Sequence, residues 1–237
     1  MLAHGFTQTA RLWGPFGEAL GRARRLVRVD LPGHGGSDAV RADLVESGDL
    51  LATAAGEPAD LLGYSLGARV ALHAALQHPE LVRRLVLISG TAGIEDPDAR
   101  TARRVRDEAL ADGLERSGDV EAFLRRWLAN PMWATLRGDA AGLAERRRNS
   151  AAGLASSLRL AGTGTQSPLW DRLPGLRPPV LVLAGADDPR FAAAGLRLAR
   201  AARSAALSLV PGAGHAAHLA QPVLSALIVE RFLGEPA

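Results

Sequence analysis

The stretch Leu61-Leu62-Gly63-Tyr64-Ser65-Leu66-Gly67-Ala68-Arg69 joins an apolar segment to a helical one through the pattern Gly-x-Ser-x-Gly. A strand that ends in a tight turn and continues as a helix is the context of a nucleophile elbow. The turn strains its central residue and leaves no room for side chains two positions away, where Gly63 and Gly67 stand. It also places Ser65 at a helix N-terminus, where free N–H groups favour developing negative charge. Taken alone, Ser65 is equally well explained as an ordinary helix N-cap.

On the N-terminal side of this stretch, strand and helix signals alternate. The predicted elements are a strand end at 1–3, a helix over 13–20, a strand over 25–31, a helix over 39–55 and a strand over 58–62. Dense turn chemistry at residues 30–38 ends the second strand. Such alternation predicts an α/β sheet connected by right-handed crossovers.

On the C-terminal side, the alternation continues, stops and resumes. A helix over 68–77 is followed by the apolar run 85–89, which is typical of a parallel strand covered on both faces. Residues 97–160 have only helical periodicities, and they predict an inserted helical cap. The elements predicted after the cap are strands over 179–184 and 206–210 and helices over 192–202 and 222–233. We therefore predict a core formed by residues 1–92 and 165–237 and a cap formed by residues 93–164.

The composition limits the classes of function. At 237 residues and 47% hydrophobic, the chain can form one domain with a substantial core. It contains no Cys, which excludes disulfides and thiolate metal sites. All 28 basic residues are Arg and are interspersed with 25 acidic ones, so the net charge of +3 does not predict nucleic-acid binding. No signal peptide or membrane span is recognisable, and a cytoplasmic location is the default expectation.

Three polar residues follow three different predicted strands in the order serine, acid, histidine. They are Ser65, Asp188 and His215. The carboxyl ends of parallel strands are where such sheets form their sites, and this is the chain order of α/β-hydrolase triads. A serine hydroxyl needs a histidine to take its proton and a carboxylate to orient the imidazole. Asp188 alone would be an ordinary turn residue. His218 is the alternative to His215, but the Gly-x-Gly turn directly before His215 favours His215.

The same geometry requires an oxyanion hole. Its donors would be the N–H of Leu66, directly after the serine, and one from the turn after His4-Gly5, for which we select Phe6. We expect a structural role for His34 and assign none to His73 or His78.

Several blocks of the chain resemble the α/β-hydrolase superfamily, and the cap resembles one family within it. The superfamily blocks are His4-Gly5-Phe6, Asp30-Leu31-Pro32-Gly33-His34-Gly35, Gly63-Tyr64-Ser65-Leu66-Gly67 and Gly214-His215. The cap blocks are Gly93-Ile94, Arg103 with Asp107, Phe123-Leu124-Arg125-Arg126-Trp127, Pro131-Met132-Trp133, Arg146 with Asn149, and Gly153-Leu154-Ala155 through Leu169-Trp170. These look like 2-succinyl-6-hydroxy-2,4-cyclohexadiene-1-carboxylate synthase of menaquinone biosynthesis, over nearly the whole chain.

The resemblance implies a lyase that eliminates pyruvate from 2-succinyl-5-enolpyruvyl-6-hydroxy-3-cyclohexene-1-carboxylate without metal or organic cofactor. It implies a small-molecule polycarboxylate as substrate. The family's substrate-binding residues fall on Arg69, Arg103, Arg146, Tyr64 and Trp127. Guanidinium groups pair bidentately with carboxylates, which agrees with this assignment.

The sequence leaves several alternatives open. The neighbouring Arg104, Arg147 and Arg148 could bind the substrate in place of the selected cap arginines. The family normally has strands ahead of His-Gly-Phe, so N-terminal strands are expected to be missing here, with a cost in stability. Arg190 stands where Lys is usual, and Ala220 where an acid is common.

The competing functions are a carboxylic-ester or carbon–carbon bond hydrolase on the same triad and a non-catalytic ligand-binding protein of the same fold. The intact Ser65, Asp188 and His215 argue against the second. The oligomeric state is not predictable from the sequence.

Overall fold

One parallel sheet forms the centre of the molecule, for which the computed structural model describes residues 1–234. Within that range the strands are β1 (Leu2–Ala3), β2 (Arg28–Val29), β3 (Ala59–Tyr64), β4 (Val82–Ile88), β5 (Val180–Gly185) and β6 (Ala205–Val210). Their order across the sheet is β2-β1-β3-β4-β5-β6, and every neighbouring pair is parallel. The predicted α/β class with a parallel sheet is confirmed.

Helices cover both faces of the sheet. The α-helices between residues 1 and 234 are α1 (Gly14–Gly21), α2 (Leu44–Ala55), α3 (Leu66–Gln77), α4 (Pro97–Ser117), α5 (Val120–Leu128), α6 (Leu143–Arg146), α7 (Ala151–Ala161), α8 (Pro189–Ala201), α9 (Ala217–Ala220) and α10 (Pro222–Gly234). Helices α2, α3 and α8 enclose one apolar cluster against the sheet, and α1, α9 and α10 enclose another. Two buried faces explain why β5 and residues 85–88 of β4 are continuously apolar.

The helices α4 to α7 lie between β4 and β5 in the chain, where the sequence predicts the cap. They bury an apolar cluster of their own, which includes Leu114, Leu124, Leu154 and Leu158. Phe6, from the loop after β1, packs against this cluster, so the cap rests on the loop that follows the first strand. The exact division at residues 93 and 164 stays a prediction.

Two elements are shorter than the sequence predicts. The strand predicted over 25–31 pairs only at Arg28–Val29, because it lies at the sheet edge and its single neighbour, β1, is two residues long. The helix predicted over 39–55 begins at Leu44, because the carboxylate of Asp43 accepts from the N–H groups of Val45 and Glu46 and the Glu46 side chain returns to the Asp43 N–H. This capping box fixes the helix start.

The helix α9, which follows His215, is a short element that the sequence analysis does not predict. No helix in residues 1–234 combines the length and apolar character needed to cross a bilayer.

Candidate active site

The Gly-x-Ser-x-Gly stretch forms the predicted elbow between β3 and α3. Ser65 has a φ of +52°, in the left-handed region that a side chain rarely adopts. A Cβ on Gly63 would lie 2.1 Å from the carbonyl oxygen of Gly67, and a Cβ on Gly67 would lie 2.0 Å from that of Ala3. Both glycines are therefore required by close backbone approach, and the turn presents Ser65 at the carboxyl edge of the sheet.

His215 meets Ser65 across 150 positions of sequence. Its Nε2 lies 3.0 Å from the Ser65 Oγ. The imidazole is 2% exposed and is packed by the rings of Phe191 and Trp133, at centroid distances of 4.3 and 5.6 Å. Burial lowers the pKa of His215, and this outweighs the opposing attraction of Asp188. The ring is therefore neutral at neutral pH and able to accept a proton.

Asp188 stands behind His215 as the N-cap of α8. Its Oδ2 is 3.3 Å from Nδ1 of His215, an ion-pair contact whose alignment falls short of a hydrogen bond. Oδ1 accepts from the N–H of Phe191 at 3.1 Å. Burial acts to raise the pKa of Asp188, but His215 and the Phe191 N–H together hold it below its ordinary value. An ionised Asp188 favours the tautomer with the proton on Nδ1, which leaves Nε2 free to accept from Ser65.

The two predicted oxyanion donors border the same space. Phe6 and Leu66 both line the cavity above Ser65, and neither N–H is used in the hydrogen bonds found between residues 1 and 234. The carbonyl of Gly5, in the same peptide unit as the Phe6 N–H, accepts from the Gln8 N–H at 3.0 Å and from Nδ1 of His4 at 2.9 Å. Since a trans peptide points its C=O and N–H in opposite directions, these bonds orient the Phe6 N–H away from Gln8.

A cavity of about 450 Å³ lies between the elbow and the cap. Among the predicted site residues, those on its wall are Phe6, Tyr64, Ser65, Leu66, Arg69, Arg103, Trp127 and His215. Asp188 does not line this cavity and contacts His215 from behind. The structure thus brings together nearly all of the predicted residues, from the core and from the cap, around one space of the size of a small-molecule site.

Two of the three predicted arginines reach this cavity. Arg69, on the first turn of α3, is 7% exposed, and its Nη1 has no hydrogen-bond partner within residues 1–234. Burial, reinforced by repulsion from Arg103 and opposed by Asp107, lowers the pKa of Arg69 to about 9, so it is charged at neutral pH. Arg103, on α4, binds Asp107 through Nε at 2.8 and 3.0 Å. These two cations give the cavity that contains Ser65 a positively charged wall.

The structure does not place Arg146 on the cavity wall. Its side chain is fully buried and donates to the carbonyl of Ala141 at 2.7 Å and to the hydroxyl of Thr7. Its guanidinium lies 5.6 Å from the Trp133 ring, behind the aromatic side of the cavity. Nη2 of Arg146 has no hydrogen-bond partner within residues 1–234, and a contact between Arg146 and substrate, which the resemblance implies, stays a prediction. The alternatives are further away, because Arg104, Arg147 and Arg148 are exposed and lie outside the cavity lining.

Tyr64 and Trp127 supply polar tips on an apolar wall. Tyr64 is 1% exposed and packs on His215 at 5.5 Å and on His218 at 4.4 Å between ring centroids. Its hydroxyl and the Nε1 of Trp127 have no hydrogen-bond partner in the described part of the chain. Buried polar atoms of this kind are normally satisfied, so both are available to a ligand.

Several residues of the cavity are not among the predicted site residues. Arg106, Ser89, Thr91 and Arg190 also line it. Ser89, directly after β4, has a φ of +48° and is 1% exposed. Its place at the end of a central strand is the signal from which it could have been predicted. Nothing in the helical pattern of α4 distinguishes Arg106 from the other arginines there.

The fold and the Ser65–His215–Asp188 arrangement define a member of the α/β-hydrolase class. The family model described as the alpha/beta hydrolase family matches residues 1–226 of the chain. The structure of MenH from S. aureus superposes with a TM-score of 0.91 at 27% identity, covering 98% of this chain and 91% of that one.

Relatives of known sequence narrow the class. A Bacillus subtilis (strain 168) protein described as a candidate 2-succinyl-6-hydroxy-2,4-cyclohexadiene-1-carboxylate synthase is 36% identical over 97% of this chain and 88% of its own. The synthase of the same name from Salmonella paratyphi B (strain ATCC BAA-1250 / SPB7) is 34% identical, over 92% of this chain and 87% of its own. The chain belongs to the 2-succinyl-6-hydroxy-2,4-cyclohexadiene-1-carboxylate synthase family.

Proposed function

We propose that this protein is the lyase that eliminates pyruvate from 2-succinyl-5-enolpyruvyl-6-hydroxy-3-cyclohexene-1-carboxylate, a step of menaquinone biosynthesis. The observation that carries the proposal is that the Ser65–His215 pair lines the same cavity as Arg69 and Arg103. The names of the relatives support it independently.

The charges of the cavity suit this substrate. The compound carries three carboxylates, on the ring, on the succinyl arm and on the enolpyruvyl group. Arg69 and Arg103 provide two cationic partners, and Arg106 and Arg190 add positive charge at the cavity wall. Because a guanidinium binds a carboxylate through two parallel hydrogen bonds, each arginine also fixes the orientation of the group it holds.

The reaction begins with removal of the ring proton next to the succinyl ketone. In the proposed mechanism the Ser65 Oγ takes this proton while its own proton passes to Nε2 of neutral His215, and Asp188 stabilises the imidazolium. The ketone becomes an enolate, whose oxygen the N–H groups of Phe6 and Leu66 stabilise. The enolate then reforms the ketone, a new ring double bond forms, and the C–O bond to the enolpyruvyl group breaks. The departing enol takes the proton from His215 and tautomerises to pyruvate.

A hydrolase on the same residues is the second candidate, favoured by the 3.0 Å contact between His215 and Ser65. Ester or carbon–carbon bond hydrolysis through that pair would require attack of Ser65 on a carbonyl and an acyl-enzyme. Elimination requires no covalent intermediate, and this difference separates the two functions experimentally.

The test is turnover of the enolpyruvyl substrate by the purified full chain, with pyruvate release followed by a coupled assay. A simple nitrophenyl ester is assayed in parallel. Pyruvate release with a kcat/KM far above that for the ester supports the lyase. Ester turnover without pyruvate release rejects it and leaves the hydrolase.

The proposed setting follows from the activity. We propose a free small-molecule polycarboxylate as the ligand, because Arg69 and Arg103 place positive charge on the cavity wall. We propose a cytoplasmic location as the setting of this biosynthetic step.

A further inference from the structure

Thr7 holds a backbone conformation that its side chain disfavours. Its φ is +66°, although threonine is β-branched, and its side chain is fully buried. Conformations of this kind are unfavourable and persist only when surrounding contacts enforce them. Thr7 directly follows Phe6, whose N–H is one of the two proposed oxyanion donors.

Three buried side chains enforce the Thr7 conformation, one on each of its polar groups. The Thr7 N–H donates to Nε2 of His34 at 3.2 Å. The Thr7 carbonyl accepts from Nδ2 of Asn149 at 2.8 Å, and the Thr7 hydroxyl accepts from Nη1 of Arg146. The same Nη1 also donates to the carbonyl of Phe6 at 3.4 Å.

Two of these side chains belong to the cap segment, and they are tied to one another. Asn149 donates through Nδ2 to the carbonyl of Arg146 at 2.9 Å, and its Oδ1 accepts from the Gly35 N–H at 3.0 Å. Arg146 is itself fixed by the bond from its Nε to Ala141. The end of α6 therefore holds the loop after β1 by several hydrogen bonds, which include one that Glu145 accepts from the hydroxyl of Thr9 at 2.8 Å.

The contacts to Thr7 influence the Phe6 N–H through the peptide unit that joins the two residues. The Gly5–Phe6 peptide is held by His4 and Gln8. The Phe6–Thr7 peptide is held by Arg146 and His34, and Asn149 holds the next carbonyl, that of Thr7. Without Arg146 and Asn149, only the bond to His34 opposes relaxation of Thr7 to a negative φ, and that rotation would tilt the Phe6 backbone.

We infer that Arg146 and Asn149 are positioning residues that set the oxyanion donor of Phe6 from the cap, rather than substrate ligands. The inference rests on the proposed function for the substrate used in its test. Loss of Arg146 should therefore lower kcat, whereas loss of Arg69 or Arg103, which bind carboxylates, should raise KM.

The experiment compares Arg146→Gln and Asn149→Ala with wild-type protein and with Arg148→Gln, a matched change at an exposed arginine two residues away. Kinetics on the enolpyruvyl substrate give kcat and KM separately. The second readout is the rate at which diisopropyl fluorophosphate, which is uncharged, labels Ser65, measured by intact mass. The Ser65 Oγ attacks phosphorus, fluoride leaves, and the phosphoryl oxygen occupies the oxyanion hole.

We expect Arg146→Gln and Asn149→Ala to lower kcat at least tenfold with KM changed less than threefold. Labelling should slow by a factor similar to that in kcat, Arg148→Gln should match wild type, and Arg146→Lys should recover part of the loss. A rise in KM at unchanged kcat and labelling would overturn the inference and return Arg146 to carboxylate binding. Wild-type kinetics in both variants would also overturn it.

Two controls keep the outcomes distinct. If Arg146→Gln does not fold by circular dichroism, Thr7→Val, which removes only the hydroxyl acceptor, takes its place with the same expected split. If wild-type protein releases no pyruvate, the proposed function fails, and the labelling rates still decide the inference.

Discussion

Arg103 donates from its Nε to both carboxylate oxygens of Asp107, at 2.8 and 3.0 Å, one turn further along α4. Asp107 is 3% exposed, so this ion pair is partly withdrawn from water at the wall of the cavity. The pair holds Arg103 in place through Nε and leaves its outer nitrogens for another anion. The negative charge of Asp107 also offsets the repulsion between Arg103 and Arg69, because it opposes the lowering of the Arg69 pKa.

Loss of either cavity arginine should weaken substrate binding. A hydrogen bond to a charged group contributes about 1.5–3 kcal/mol, so Arg69→Gln and Arg103→Gln should each lower kcat/KM roughly 10- to 150-fold, mainly through KM. Arg104→Gln, on an exposed neighbour, is the matched control and should behave as wild type. Steady-state kinetics on the enolpyruvyl substrate measure all three. Unaltered KM in both cavity variants would show that the substrate carboxylates bind elsewhere.

The acid limb of the activity profile should report His215. Only neutral His215 can take the Ser65 proton, and burial places its pKa below the ordinary 6.5. Activity is therefore retained above 6.5 and lost as the pH falls through the lower pKa of the folded protein. A kcat/KM profile with its acid inflection below 6.5 fits this assignment, whereas an inflection above 6.5 would contradict the neutral, buried base.

His218 should make the fold sensitive to acid. Its ring is fully buried without a hydrogen-bond partner in residues 1–234, and burial lowers its pKa to about 3. Because the unfolded chain binds this proton near 6.5, the contribution to stability is present above 6.5 and is lost as the pH falls toward 3. Between pH 7 and 5 this group lowers the free energy of unfolding by about 2 kcal/mol.

Urea unfolding of wild-type protein and His218→Leu at pH 7 and 5 tests this. Since leucine does not titrate, the free energy of unfolding of the variant should fall by about 2 kcal/mol less than that of wild type over that interval. Equal losses in the two proteins would mean that His218 is not the buried titrating group.

The elbow glycine should tolerate no side chain. A Cβ at position 67 would lie 2.0 Å from the Ala3 carbonyl, so Gly67→Ala forces the start of α3 away from β1. We expect a loss of about 3 kcal/mol or more in the free energy of unfolding. Gly113→Ala, inside α4 with nothing within 4 Å of the new Cβ, is the control and should gain about 0.5–1 kcal/mol. Thermal melts compare them, and a Gly67→Ala protein as stable as wild type would refute the steric argument.

The sequence is sufficient for the parts of the fold that depend on local chemistry. Ser65, Asp188 and His215 each follow an apolar strand and stand in turns rich in Gly, Asp or Pro, so their place at one sheet edge follows from parallel topology. The elbow glycines follow from the same local sterics.

Other features depend on contacts distant in sequence. The length of β2 is limited by its short neighbour β1, which its own alternating pattern does not reveal. Arg146 is one of 28 arginines, and its burial depends on Thr7, 139 positions earlier, presenting a hydroxyl beneath the cap. The strained φ of Thr7 has no local signature, because threonine is among the residues least suited to it.

The central claim is that Ser65 acts as a base in an elimination and carries no acyl group. The measurement is intact mass during turnover of the enolpyruvyl substrate, combined with pyruvate release by wild-type protein and Ser65→Ala. We predict that pyruvate is released with the mass of the protein unchanged throughout, and that Ser65→Ala lowers the rate at least a thousandfold, on the order of a lost triad member. A covalent adduct on Ser65 with this substrate, or elimination at the wild-type rate by Ser65→Ala, would contradict the account.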